Sequence, residues 1–216
     1  MIVSILGGTG DQGPGMAMRW AKAGIEVIIG SRQQEKAVGV AAELNQELGQ
    51  ELIKGMANPE AAAASDIVAI TVPFSAHKPT LESVKDHVQG KILIDVCVPL
   101  DPDNVRKMKY PEAGSATQEA QALLGDEVKV VAAFQNVSAT ELRHLEHDID
   151  CDVLVCGNDR GARETVMELV EKMGMTPVDA GLAYNAPIVE GLTAVLIGLN
   201  IRNKVKGSGI RITGLP

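Results

Sequence analysis

The stretch ILGGTGDQGPG, residues 5–15, decides the fold. Gly8, Gly10 and Gly13 match the spacing G-x-G-x-x-G, directly after an apolar strand-like run and directly before a helix-like segment. Glycine at these places lets the chain turn tightly, lets backbone approach a pyrophosphate and lets the helix pack on the strand. The stretch therefore predicts a strand–turn–helix unit that binds a dinucleotide, with N–H groups at the helix start holding the negative charge.

The residues downstream continue the alternation of strands and helices. Short β-branched runs predict strands at residues 2–6, 26–29, 67–71, 92–96, 128–132 and 153–155, and helix-like stretches lie at 12–23, 34–48 and 160–173. This order predicts the α/β class, with a doubly wound, mostly parallel Rossmann-type sheet. Residues 99–111, which begin and end with proline, are expected to form a long loop near the sheet edge. The apolar stretch at residues 188–206 predicts a closing helix.

Composition favours a protein that binds small molecules. The 216 residues are 45% hydrophobic, enough for a full core, and their formal net charge of −8 gives no general attraction to nucleic acid or anionic lipid. We find no apolar run approaching the roughly 20 residues that cross a bilayer, so we expect no membrane and a cytoplasmic location. The three cysteines have no C-x-x-C spacing and are expected to be buried thiols rather than disulfides or zinc ligands.

The end of the second predicted strand indicates which nucleotide is bound. An NAD site usually carries Asp or Glu there to bind the ribose 2′-hydroxyl, whereas this chain has Ser31 and Arg32, with Lys36 one turn into the next helix. A carboxylate would repel a 2′-phosphate, and these three side chains would bind it. The alternative is a helix cap followed by solvated charges. The position directly after the glycine motif favours NADP(H).

Groups that would donate a proton to a carbonyl substrate are missing from their usual patterns. Tyr110 and Tyr184 lack the Lys four residues later that short-chain dehydrogenases use, and the sequence shows no zinc ligand set. His144 and His147 are interpreted as an exposed helix face rather than metal ligands, and His77 has no evident partner. We therefore predict no catalytic acid or base and no metal, and a hydride that passes directly to a second bound cofactor.

The chain resembles the coenzyme F420-dependent NADP reductase family along nearly its whole length. The resemblance is carried by ILGGTGDQGPG (5–15), VIIGSRQQEKA (27–37), AITVPF (69–74), ILIDVCVPL (92–100), AFQNVSA (133–139), DCDVLVCGND (150–159) and NIRNKVKGSGIRITGLP (200–216). AFQNVSA and the C-terminal stretch are the most specific, although Gln135 stands where the family pattern predicts His or Asn. The resemblance implies a homodimeric protein that passes a hydride between NADP(H) and the 8-hydroxy-5-deazaflavin coenzyme F420.

The family resemblance also implies which residues touch the two cofactors. It places Thr9, Gly10, Asp11 and Gln12 on the pyrophosphate, Ser31, Arg32 and Lys36 on the 2′-phosphate, and Phe74, Leu100 and Ala139 around the nicotinamide and deazaflavin rings. Ser208, beside Gly209, would supply backbone that can approach the ring closely. For Phe74 and Leu100 the alternative is ordinary core packing. A basic cluster near the C-terminus would hold the phosphodiester and glutamyl tail of the deazaflavin, or only complement a helix dipole: Arg202, Lys204, Lys206 and Arg211.

These interpretations divide the chain into two parts. Residues 1–183 would form an NADP-binding Rossmann domain, and residues 184–216 a C-terminal helical extension that completes the second cofactor pocket. Two other functions fit the same sequence: an NADPH-dependent reductase of a flavin or ferric centre, and a non-catalytic module that senses NADP(H). The enzymes would oxidise NADPH when an acceptor is added, whereas the sensor would only bind it.

Overall fold

The glycine-rich turn joins the first strand to the first helix in a computed structural model, which describes residues 1–215. The strands of the main sheet are β1 (Ile2–Leu6), β2 (Glu26–Ser31), β3 (Ile53–Ala57), β4 (Ile67–Ile70), β5 (Ile92–Asp95), β8 (Lys129–Ala132), β9 (Asp152–Gly157) and β10 (Thr176–Gly181). A separate pair of strands is formed by β6 (Leu100–Asp101) and β7 (Asn104–Met108). The helices are α1 (Gln12–Lys22), α2 (Gln34–Leu48), α3 (Asn58–Ala63), α4 (Phe74–Val84), α5 (Ala116–Leu124), α6 (Ala139–Arg143), α7 (Arg160–Lys172) and α8 (Ala186–Asn203).

The main sheet has eight strands in the order β10-β9-β8-β5-β4-β1-β2-β3. All neighbouring pairs in it are parallel except β8 and β9, which run antiparallel. The strand order reverses at β1, which lies between β4 and β2, so a crevice opens at the carboxyl ends of these strands, where open α/β sheets bind ligands. The predicted doubly wound, mostly parallel sheet is confirmed.

The sequence patterns missed several elements. Strands β3 and β10 and helices α3, α4 and α5 were not predicted, because each is short or, like α4 with Pro79 inside it, carries an atypical residue. The expectation of a long loop at residues 99–111 is wrong in part, since β6 and β7 form an antiparallel hairpin there. Asp101 stabilises its turn by accepting a hydrogen bond from the Asp103 amide at 2.9 Å.

The closing helix α8 is apolar on two faces. One face packs on the sheet through buried Ala186 and Val189. On the opposite face, Ile188, Val195 and Leu199 are exposed at helical spacing. Residues 183–203 form a helix that is long and apolar enough, by length and composition alone, to cross a membrane, and 33% of its most apolar 18-residue window is buried. This finding corrects the expectation that no apolar run approaches this length.

Candidate functional site

A cavity of about 950 Å³ lies at the carboxyl ends of the parallel strands. Its outer end is lined by Thr9, Gly10, Asp11, Gln12, Ser31, Arg32 and Lys36, and its inner end by Phe74, Cys97, Leu100, Gln135 and Thr193. Nine of the eleven residues predicted to touch the cofactors therefore meet in one cavity. A volume of this size is at the upper end for ligand sites, as expected for a place where parts of two cofactors meet.

The glycine turn at the outer end is built by four glycines with different roles. Gly7 has φ of 71°, the left-handed conformation that makes the turn, so the tight bend falls one residue before the predicted motif. A Cβ on Gly8 would meet the Ile5 carbonyl oxygen at 2.7 Å, and one on Gly13 would meet the Gly8 carbonyl carbon at 2.7 Å. Gly10 is exposed, and a Cβ built on it would meet only the Gly7 carbonyl oxygen, at 3.4 Å, so a phosphate can approach this side of the turn; the Gly10 amide itself donates to that oxygen at 3.0 Å.

The residues predicted for the 2′-phosphate form the outermost corner of the cavity. Ser31 is buried at the end of β2, and its hydroxyl accepts a hydrogen bond from the Gln33 amide at 3.2 Å. Arg32 and Lys36 are exposed, and neither forms an ion pair within residues 1–215. Two cations without carboxylate partners beside a buried hydroxyl suit a phosphate monoester.

Gln12 ties the two ends of the cavity together. Its side-chain amide donates to the carbonyls of Phe134 at 3.4 Å and Val137 at 3.3 Å, in the segment that follows β8. Phe134 has φ of 72°, an uncommon conformation for a bulky residue, and its buried ring packs edge-on against Trp20 with 6.0 Å between ring centroids. This kink turns the next residue, Gln135, towards the cavity.

A buried polar network lies directly behind the inner end, and sequence reasoning missed it. His77 Nε2 lies 2.8 Å from Asp95 Oδ2, and both side chains are fully buried. Glu119 Oε1 lies 3.4 Å from His77 Nδ1. Burial lowers the pKa of His77, but the neighbouring carboxylates of Asp95 and Glu119 outweigh it and leave that pKa raised. Asp95 follows three apolar residues, Ile92 to Ile94, so only its own charge could have indicated a site.

Glu190 adds a second buried carboxylate, this one from α8. It is fully buried and accepts hydrogen bonds from the Ala116 amide at 3.0 Å and from the amide and hydroxyl of Thr117 at 3.1 and 2.9 Å. Burial and the charge of Asp95 raise the pKa of Glu190 to about 7, against the lowering effect of these hydrogen bonds. Glu190 thereby caps the N-terminus of α5.

Two predicted contact residues lie outside the cavity lining. Ala139 begins α6 and is half-buried, and Ser208 lies in the C-terminal segment with its amide donating to Asn200 Oδ1 at 3.1 Å. The segment runs past the cavity edge, where the Lys206 carbonyl accepts a hydrogen bond from the Ser138 hydroxyl at 3.1 Å. Neither residue lines the cavity, and their contact with the deazaflavin stays a prediction.

The remaining histidines and the cysteines are mostly where the sequence placed them. His144 and His147 are exposed and stacked, but they follow α6 in a turn rather than lying on a helix face. His147 Nε2 lies 2.9 Å from Glu141 Oε2. The cysteines at 97, 151 and 156 are free and buried, and burial raises the pKa of each thiol. They are therefore free, buried thiols, as predicted.

Comparison with known proteins supplies the family. Residues 2–99 match the model of the family described as NADP oxidoreductase, coenzyme F420-dependent. The F420-dependent NADP reductase of Methanothermobacter thermautotrophicus is 44% identical over the whole chain and 96% of its own length. The chain belongs to the F420-dependent NADP reductase family. The family predicted from the sequence motifs is thereby confirmed.

Two further family members agree with this assignment. The F420-dependent NADP reductase of Methanocaldococcus jannaschii is 41% identical over the whole chain and 99% of its own length. A crystal structure of a candidate F420-dependent NADP reductase from Arthrobacter sp. FB24 covers 99% of both chains with a TM-score of 0.84 and 26% identity. The whole fold, including the C-terminal helix, is thus shared within the family.

Proposed function

We propose that this enzyme transfers a hydride directly between NADP(H) and the deazaflavin coenzyme F420. One observation carries the proposal: a single cavity joins a cationic corner made by Arg32 and Lys36 to an inner end without a carboxylate, histidine or tyrosine among its described lining residues. The inner end therefore suits a reaction that needs alignment and exclusion of water rather than a proton donor. Family membership names the two substrates.

The chain's own residues position the two substrates at opposite ends of the cavity. Arg32, Lys36 and Ser31 bind the 2′-phosphate, and the backbone of Thr9 and Gly10 binds the pyrophosphate. Phe74 and Leu100 form the apolar walls against which the two rings lie. The hydride carries two electrons and one proton between ring carbons, and a proton exchanged with solvent completes the balance.

The C-terminal extension, residues 184–216, completes the inner end in this proposal. Thr193 of α8 lines the cavity and donates a hydrogen bond to the Gln135 carbonyl at 2.7 Å. The hairpin of β6 and β7 is also tied to α8, because the Tyr110 hydroxyl donates to the Pro187 carbonyl at 2.8 Å. Lys204 and Lys206 follow α8 and supply positive charge for the anionic tail of the deazaflavin.

An absorbance assay near 420 nm tests the proposed reaction. NADPH is added to the protein with coenzyme F420, with a flavin, or with a ferric chelate. We expect oxidation of NADPH only in the first mixture, together with loss of the deazaflavin absorbance. Turnover of flavin or ferric iron alone would support the alternative reductases, and NADPH binding without any turnover would support the sensing module.

We also propose that the enzyme is a cytoplasmic homodimer. Ile188, Val195 and Leu199 form an apolar face on α8 that is exposed in the single chain, and a second copy related by twofold symmetry would cover it. Sedimentation analysis should show a dimer that Val195→Glu converts to a monomer, whereas Val38→Glu, at an equally exposed position on α2, should leave it intact. A wild-type monomer would refute the proposal. The three free thiols fit a reducing compartment.

A further inference from the structure

One buried residue, Asp95, is connected to three residues that line the inner end of the cavity. Its Oδ1 accepts a hydrogen bond from the Cys97 amide at 3.0 Å, and its main-chain oxygen accepts one from Gln135 Nε2 at 2.6 Å. Its Oδ2 lies 2.8 Å from His77 Nε2, and the His77 ring stacks on Phe74 with 5.5 Å between ring centroids and 29° between planes. The carboxylate thus fixes Cys97 and, through His77, Phe74, while the main-chain carbonyl of the same residue fixes Gln135.

This arrangement is costly to bury, which argues that it does more than stabilise the fold. Both side chains of the His77–Asp95 pair have no exposed surface, and well-packed apolar residues often stabilise a core as well as a buried ion pair does. Apolar residues could not fix the orientation of a ring through directed hydrogen bonds. The imidazole can donate to Asp95 and Glu119 at the same time, and this sets the plane of the ring on which Phe74 rests.

A metal site is the competing interpretation of the same cluster. One nitrogen, oxygen or sulfur atom each of His77, Asp95 and Cys97 lie within 4.8 Å of one another. However, the histidine and carboxylate atoms are already hydrogen-bonded to each other, and Cys97 Sγ donates to the Val72 carbonyl at 3.2 Å. Burial also raises the pKa of Cys97 well above its ordinary value, so the thiol stays protonated. The geometry is that of a hydrogen-bonded network.

We propose that the His77–Asp95 pair is a positioning device that holds Phe74 and Cys97 in the geometry required for hydride transfer. This inference rests on the proposed function of the cavity. His77 and Asp95 do not line the cavity, so they act through the residues that do. Since hydride transfer is sensitive to small displacements of the reacting rings, loosening these walls should slow the transfer step more than it weakens cofactor binding.

The variants His77→Gln and Asp95→Asn test the proposal because they nearly keep the shape and remove the charge. His87→Gln is the matched control, since His87 is exposed ten residues further along. We expect the two network variants to lower the single-turnover rate of hydride transfer about three- to tenfold, with the dissociation constant for NADPH within about twofold of wild type. The control should match wild type in both measurements.

Emission from bound NADPH provides a second readout that needs no acceptor. An immobilised dihydronicotinamide ring emits more strongly than a mobile one, so the network variants should bind NADPH with reduced emission. The proposed function and the positioning device can therefore fail separately. A wild-type protein that does not reduce the deazaflavin refutes the proposed function. Unchanged emission from NADPH bound to both variants refutes the positioning device. Circular dichroism at the assay temperature checks that each variant is folded.

The pH dependence of the transfer rate distinguishes positioning from a purely structural role. Because the pKa of His77 is raised, the doubly donating imidazolium is present at low pH and is lost as pH rises through that raised value. The wild-type rate should fall over that range, and His77→Gln should lack this decline. Cys97 stays protonated there, and Glu190→Gln identifies any contribution of the Glu190 carboxyl. Rate and NADPH affinity that fall together in the variants, or identical pH profiles, would overturn the proposal.

Discussion

The two ends of the cavity are built in opposite ways. At the outer end, contiguous residues of one strand–turn–helix unit and the next strand supply backbone N–H groups and the exposed cations Arg32 and Lys36. At the inner end, residues from α4, from the segments after β5 and β8, and from α8 meet in front of the buried carboxyl groups of Asp95 and Glu190. The outer end is formed by residues that are close in sequence, whereas the inner end is formed by residues that only the tertiary fold brings together.

The largest expected effect is at the outer end, where Gly13→Ala should disturb both fold and binding. The new Cβ would lie 2.7 Å from the Gly8 carbonyl carbon, which is backbone and cannot rotate away. We expect unfolding to become easier by about 3 kcal/mol, the upper range for overpacking. NADPH affinity should fall more than about tenfold, because the N–H groups facing the pyrophosphate move.

The matched control for Gly13 is Gly39→Ala. A Cβ on Gly39 meets nothing within 4 Å on the exposed side of α2, so this change should be neutral or stabilise by up to about 1 kcal/mol. Denaturant unfolding and NADPH titration measure both variants. Equal behaviour of the two would show that close packing at the glycine turn does not hold the pyrophosphate site.

At the inner end, Glu190→Gln should change how stability depends on pH. The pKa of Glu190 is raised from 4.5 to about 7, so the folded chain keeps the proton while the unfolded chain releases it. Stability is therefore highest below the unfolded value and falls as pH rises from about 4.5 through 7, by on the order of 3 kcal/mol. The Gln variant should lack this decline in urea unfolding at pH 5 and 8.

A control variant separates the pH effect of the buried Glu190 carboxyl group from the effect of removing any negative charge. Glu164→Gln, on the exposed face of α7, should reproduce the wild-type slope. Parallel slopes for wild type and Glu190→Gln would mean that the buried carboxylate does not titrate in this range.

Arg32→Ala tests the cationic corner with a smaller effect. Loss of a charged hydrogen bond to the 2′-phosphate should weaken NADPH binding by about 1.5 to 3 kcal/mol and leave NADH nearly unchanged. Isothermal titration with both nucleotides measures the difference. If both nucleotides lost affinity equally, the corner would not be a 2′-phosphate site.

The C-terminal cations should show the smallest effect. Reversal of Lys204 and Lys206 to Glu is expected to raise the KM for the deazaflavin several-fold and to make it less sensitive to salt. Arg211 is a less suitable target because it already pairs with Asp150 at 2.9 Å. Steady-state assays at low and high salt give the comparison, and an unchanged KM would assign the two lysines to complementing the end of α8.

The same contrast explains what the sequence could predict. The glycine turn, Arg32 and Lys36 were predicted because their spacing within about thirty residues determines their arrangement. His77 was left without a partner, because its contacts with Asp95 and Glu119 depend on how α4, β5 and α5 pack and not on spacing. Ala139 and Ser208, which the sequence predicted to contact the deazaflavin, do not line the cavity, because their distance from it depends on how α6 and the C-terminal segment pack.

Deuterium that moves from NADPH to the deazaflavin would report direct hydride transfer. We expect transfer between two ring carbons, at an inner end where the described lining residues include no histidine, tyrosine or carboxylate. With NADPH deuterated at C4 on the transferred face, the reduced deazaflavin formed in ordinary water should retain the deuterium at C5, as mass spectrometry can show. Washout of the label into solvent would contradict direct transfer and point to an intermediate acceptor that exchanges with water.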